Sequence, residues 1–235
     1  MDLFVEGIKQ ALYLLIELNR EIFSIAWRTL SITGPSVLIS LLIGIPLGVV
    51  LGLMKFPGRK LLLSLVYTGM GFPPTVIGLF VAMFLWRSGP LGFLSLLYTP
   101  TAMIIAQVII ATPIVIGLIL AAMQQLDPKL KLQALSLGAN KLQLFWILIK
   151  EAKIPSLAAI MAAFGGIISE VGSAMIVGGN IKGRTRILTT AIVLFTRMGK
   201  FEKAIAISII LLFLSFLANF ALTYIQQREG IYWKR

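Results

Sequence analysis

Cysteine and histidine are both missing from the 235 residues, and aspartate and glutamate together number only nine. The first absence removes disulfides, thiolate nucleophiles, imidazole bases and the ligands of ordinary zinc sites. Hydrolytic or redox chemistry would have to run on the nine carboxylates, most of which lie near the ends of apolar stretches. No hydrophilic segment is long enough to hold a nucleotide-binding domain. The opening Met1-Asp2-Leu3-Phe4-Val5-Glu6 lacks both a basic flank and a small-residue cleavage site, so it does not read as a removed signal peptide.

What the chain has in excess is apolar surface. It is 58% hydrophobic and 13% charged, with a mean hydropathy of +0.96, which places most of it in lipid as an all-α integral membrane protein. The net charge of +12 does not indicate nucleic acid, because the basic residues fall between apolar stretches, where they meet lipid headgroups or water.

A membrane helix needs about 20 apolar residues. Five stretches meet this: 32–54 with an apolar lead-in from Ile22, then 61–86, 102–123, 154–177 and 204–224. Residues 3–18 form a shorter stretch carrying Glu6, Gln10, Tyr13 and Glu17 on one helical stripe. Residues 1–20 are therefore expected as an amphipathic interfacial helix ahead of a membrane domain at 21–235. A sixth span, joining this stretch to 22–30, is the alternative and would place Arg20 and Glu21 inside the bilayer. Lysine and arginine counts nearly tie between the two faces. The short loop 55–60 and the basic C-terminal tail assign the polar segment 127–151 to the cytoplasm, which leaves the basic loop 178–203 outside. A basic external loop runs against the usual bias; it has either a use for its charge or simply a solvated surface.

Within the polar segment, Asp127 is placed to cap a helix that Pro128 starts, and Gly138 to end it in a left-handed turn. Leu142, Phe145, Leu148 and Ile149 then resume an apolar stripe. Gly44, Gly48 and Gly52 share one face of the first span and invite close approach by a neighbouring helix. Pro46 and the pair Pro73-Pro74 free backbone carbonyls that lipid cannot satisfy, so Phe72, Pro73, Pro74 and Thr75 are expected beside protein or a water-filled cavity. Glu170 is the one carboxylate deep in a span, where a charge costs roughly 2.5–3.5 kcal/mol, so it should face protein or a hydrated path. The run Gly178-Gly179-Asn180-Ile181-Lys182-Gly183-Arg184-Thr185 has the glycine spacing of a phosphate-binding loop. It lacks the lysine such loops use, and it follows a membrane span instead of a strand.

Two segments resemble a known family. Gln133-Ala134-Leu135-Ser136-Leu137-Gly138, followed by Ala139 and Asn140, resembles the "EAA" coupling loop of permease subunits in ATP-binding-cassette importers. Ala134 and Gly138 match its second Ala and its Gly, whereas Leu132 and Gln133 replace its Glu and first Ala. The stretch 168–192, beginning Ile168-Ser169-Glu170-Val171-Gly172-Ser173-Ala174-Met175, and Phe72-Pro73-Pro74-Thr75-Val76 are similar to permeases of tungstate importers.

That resemblance, which covers most of the chain after Ile22, implies a type I importer permease. The expected architecture is about five transmembrane helices, an N-terminal interfacial helix and a cytoplasmic coupling helix. It implies a homodimer in the cytoplasmic (inner) membrane of a prokaryote, two cytoplasmic ATPase subunits that use ATP and Mg, and an extracytoplasmic binding protein delivering tungstate or sometimes molybdate. The chain itself would carry no catalytic residue, metal or cofactor. Asp127, Gln133, Ala134, Leu137, Gly138, Ala139 and Asn140 would couple to the ATPase, with the small residues allowing close backbone approach. Phe72, Pro73, Pro74, Thr75, Ser169, Glu170, Gly172, Ser173 and Met175 would line or gate the pathway, the hydroxyls of Thr75, Ser169 and Ser173 offering weak contacts to the oxyanion. Glu170 would repel a dianion, which favours a gating role over substrate contact. Gly178, Gly179, Asn180, Lys182, Arg184 and Arg186 would meet the binding protein, or form only a turn. An importer permease for phosphate or an amino acid, and from another class a secondary transporter or membrane-embedded enzyme, are the competing readings.

Overall fold

The first span and its apolar lead-in form one continuous helix, α1 (Arg20–Leu53), in a computed structural model that describes residues 5–6, 8–9, 12–13, 16–17, 20–53, 56–151 and 153–232. The expected interfacial helix at 1–20 falls largely outside the described residues. Because residues 22–30 belong to α1, they are not free to build a separate sixth span. At about 1.5 Å per residue the 34 residues reach roughly 51 Å, more than the hydrocarbon core needs.

The second span is broken. α2 (Arg59–Met70) and α3 (Pro74–Leu85) meet at 102°, because Pro73 and Pro74 supply no N–H to continue the helix. α4 (Pro100–Gln125) is a full span, started by Thr99, whose hydroxyl accepts the Ala102 N–H at 3.3 Å. After the polar helices α5 (Pro128–Ser136) and α6 (Lys141–Glu151), the fourth span is broken too: α7 (Lys153–Ile168) and α8 (Gly172–Gly178) bend by 59°. The basic segment 178–203, expected as a loop, contains a helix, α9 (Leu188–Arg197). Its Leu188, Ala191 and Phe195 pack in one cluster with Ile22, Ile25 and Ile207. α10 (Phe201–Tyr232) is the last span. Among the described residues three helices are long and apolar enough to cross a membrane, and the count reaches five when each bent pair is taken as one span.

The scaffold is the α1–α4 pair. A Cβ on Gly44 would lie 2.6 Å from Val115 Cγ1, one on Gly48 2.7 Å from Ile119 Cβ, and one on Gly52 2.5 Å from Met123 Cβ. The absent side chains let the backbones approach, which is how helices gain packing energy where lipid offers no hydrophobic drive. The sequence offset between partners is constant, so the two helices run parallel. Gln125 and the polar helices therefore lie at the Leu53 end of α1. At the other end Glu21 pairs with Lys182 at 3.3 Å and Lys203 at 3.6 Å, so the basic segment and α5 occupy opposite ends of the bundle.

Candidate functional site

At one end, α5 is punctuated as its residues dictate. The Asp127 carboxylate accepts the Lys129 N–H at 2.9 Å, and Gly138 adopts φ +83°, a conformation that costs a side-chain-bearing residue. The Leu137 and Ala139 N–H groups close the helix onto the Gln133 and Ala134 carbonyls, both at 3.0 Å. Asn140 begins α6: it accepts the Gln143 N–H at 2.9 Å, while Gln143 Oε1 accepts the Asn140 N–H at 2.8 Å. Asp127, Gly138 and Asn140 thus shape the turn.

The Ala134 side chain is buried in an apolar cluster with Leu144 and Leu148, and the half-buried Ala139 packs against the same cluster. The exposed face of the segment is Leu132, Gln133, Leu135 and Leu137, with Leu137 88% exposed. Leu132 and Leu135 were absent from the expected set. In a helix where leucine recurs at 130, 132, 135 and 137, only packing against α6 decides which leucines are left outside.

Midway through the bundle the two breaks meet. A Cβ on Gly78 would lie 2.6 Å from the Ser173 Cα, and one on Gly172 would collide with Thr75 Cγ2, so the half-helices α3 and α8 touch along glycines. Glu170, 7% exposed, folds back over the start of α8. Its carboxylate accepts the Ser173 N–H at 2.8 Å, the Ala174 N–H at 3.2 Å and the Ser173 hydroxyl, and its own carbonyl accepts the Thr189 hydroxyl at 3.0 Å. A negative group over the N–H end of a helix is stabilised by those donors without needing a cation. Both carboxylate oxygens are thus engaged within the chain.

The three hydroxyls expected to touch an oxyanion are not equivalent. Ser169 Oγ donates to the Gly165 carbonyl at 2.7 Å and Ser173 Oγ to Glu170, so both protons are engaged. The exposed Thr75 hydroxyl makes no hydrogen bond among the described residues. Phe72, Pro73 and Ser169 are also exposed, whereas Gly172 and Met175 are half-buried and Pro74 starts α3. Outward from Thr75 along α3, a cavity of about 650 Å³ is walled by Leu79, Met83, Trp86, Tyr98 and Ile176.

The basic segment is tightly built. Gly178 and Gly179 leave room for Met103 and for the Tyr98 ring, whose nearest atoms would lie 2.7 and 2.8 Å from an added Cβ. Thr185, fully buried, donates to the Gly178 carbonyl at 2.5 Å and accepts the Ile181 N–H at 2.9 Å. Arg186 folds onto Asn180, its Nε 3.3 Å from Oδ1 and its Nη2 3.3 Å from the carbonyl. Gly178, Gly179, Asn180 and Arg186 thus all take part in the internal packing of the segment, with Thr185 at its centre. Lys182 and Arg184 remain exposed, Lys182 with its bond to Glu21. Thr185 was missed because a lone threonine in a glycine-rich run carries no signal of burial.

Residues 44–230 match the family described as binding-protein-dependent transport system inner membrane component. The chain is 38% identical over 229 residues to the tungstate uptake system permease protein TupB of Peptoclostridium acidaminophilum, covering 97% of this chain and 100% of that protein. It is likewise 38% identical over 220 residues to TupB of Campylobacter jejuni, covering 94% and 92%. A structure of the MetNI methionine ABC transporter in an inward-facing conformation superposes with a TM-score of 0.74 at 20% identity, covering 92% of this chain and 97% of that one; this likeness concerns the fold.

Proposed function

Because the chain belongs to the family of binding-protein-dependent transport system inner membrane components, we propose that it is the permease subunit of an ABC importer that brings tungstate across the inner membrane. The observation that carries this reading is the 38% identity to a tungstate uptake permease along that protein's full length. The chain is a multi-pass transport subunit; ATP hydrolysis comes from two separate ATPase subunits, and an extracytoplasmic binding protein delivers the anion.

A dianion cannot enter hydrocarbon unpaired, since burial of an isolated charge costs tens of kcal/mol in the Born limit. Five crossings enclose a poor aqueous path, so two copies build it between them. The exposed Phe72, Pro73, Thr75 and Ser169 suit a wall facing the second copy. Thr75, with an unengaged hydroxyl at the start of α3, is the pathway contact, and Glu170, which caps the start of α8 where that helix meets α3, is the gate anchor. ATP binding draws the two α5 helices together through Leu132, Leu135 and Leu137 and opens the bundle outward; hydrolysis resets it. Lys182 and Arg184 receive the loaded binding protein.

Reconstitution with the cognate ATPase and binding protein tests the reading. ATP-dependent uptake of tungstate, with molybdate as a weaker or equal competitor, is the expected result. Uptake of phosphate or an amino acid with tungstate ignored would replace it with the competing importer assignment.

A further inference from the structure

Arg87 is the only charged residue between Lys60 and Asp127. It sits exposed in the turn after α3 and makes no ion pair among the described residues. The turn is rigid: the Gly89 N–H reaches the Trp86 carbonyl at 2.7 Å, Leu91 the Phe84 carbonyl at 2.9 Å, and Ser95 the Gly92 carbonyl at 3.0 Å. A Cβ on Gly92 would lie 2.6 Å from the Arg87 carbonyl oxygen, so the chain folds tightly on itself here.

Two cavities share Leu85 as a wall beneath this turn. One, about 480 Å³, is lined by Arg87, Trp86, Ser95 and Tyr98. The other, about 270 Å³, lies between α3 and α4 among Ile77, Phe80, Phe84, Leu94, Ile105 and Ile109 and exposes no polar surface. The rim is apolar as well, with Phe93 79% and Leu94 46% exposed. A loop of this composition belongs at the bilayer interface, where aromatic side chains concentrate. The groove then opens onto acyl chains and Arg87 stands at headgroup depth.

We propose that this place holds an anionic diacyl lipid, with an acyl chain in the groove between α3 and α4 and the headgroup phosphate on Arg87. Charge complementarity selects the occupant: the planar guanidinium pairs with phosphate through two parallel hydrogen bonds, and among the described residues no carboxylate competes for it. A zwitterionic lipid brings its own cation and gains less.

The test is native mass spectrometry of the full-length chain in neutral detergent, titrated with phosphatidylglycerol or phosphatidylcholine of identical acyl composition. Phosphatidylglycerol should be retained about fivefold more tightly, the size of effect one basic residue has at an anionic surface. Arg87→Gln should abolish the preference and Arg87→Lys keep part of it. Equal retention of the two lipids by the unaltered chain, or an undiminished preference in Arg87→Gln, overturns the assignment. Loss of binding-protein capture in Arg87→Gln with lipid preference intact also overturns it, and gives Arg87 to protein docking.

Discussion

Gly172 and Thr75 stand so close that a β-carbon on the glycine would fall on the threonine Cγ2, which ties the break in the fourth span to the break in the second. A neighbouring contact joins them as well, Gly78 against Ser173, and the Glu170 carboxylate caps α8 at the same place by sitting over its first N–H groups. Neither half-helix is long enough to be stable alone, so each is held by the other.

Replacing Glu170 with alanine leaves two N–H groups and a hydroxyl at the start of α8 without their acceptor. The expected cost is about 1–3 kcal/mol, taken where α3 and α8 meet. In the assembled transporter this should appear as raised basal ATPase activity or anion leak. Unchanged coupling in a well-folded Glu170→Ala variant would remove the gate-anchor role.

Gly48→Leu should be among the most damaging substitutions in the first span, because even its Cβ would lie 2.7 Å from Ile119 Cβ and 3.0 Å from a backbone carbonyl. Overpacking of this kind costs about 1–3 kcal/mol or more. Gly34→Leu, at a position with nothing within 4 Å of an added Cβ, is the control. Thermal unfolding in detergent should separate the two by several degrees, and equal stability would contradict the close α1–α4 packing.

The outward leucines of the polar segment, and not its alanine, should carry the ATPase contact. Leu135→Asp and Leu137→Asp are expected to cut ATPase copurification about tenfold or more while leaving the permease folded, as loss of an interface anchor does. Retention of the full complex in both variants would show that the motor grips elsewhere.

Thr185→Val removes a donor and an acceptor from the interior of the basic segment and should loosen it by about 1–3 kcal/mol. Glu21→Gln weakens two surface pairs, of which only the Lys182 partner is well exposed, and should change stability by roughly 1 kcal/mol or less. Protease sensitivity of the segment, and stimulation of ATPase activity by the loaded binding protein, should both respond to Thr185→Val and hardly to Glu21→Gln. The reverse order would mean that the ion pairs hold the segment.

Local chemistry is what the amino-acid order revealed well. Asp127, Pro128 and Gly138 bracket α5 because caps and left-handed turns depend on a few adjacent residues. Gly44, Gly48 and Gly52 pointed to a close helix neighbour, which is α4, because a small-residue stripe in a membrane favours packing, and the break at Pro73 follows from missing N–H groups. The second break has no proline. It is made by Glu170 turning back on the next turn, and a carboxylate inside a span does not announce that it will cap its own helix. α9 was read as loop because its threonines, Thr189 and Thr190, look solvated until Glu170 and Ile187 take their hydroxyls. Which way Ala134 points was equally hidden, since only the fold of α6 over α5 turns it inward.

Ala134 belongs to the same apolar core as Val115, Ile119, Ala159, Ala163 and Ile167, and Ile167 stands three residues before Glu170. Interiors packed to this density yield little under compression. On the proposed function, thrust delivered to the exposed leucines would be borne by a stiff keel reaching from the polar knuckle to the foot of the Glu170 bend, and the two ends of the stroke would need no hinge of their own.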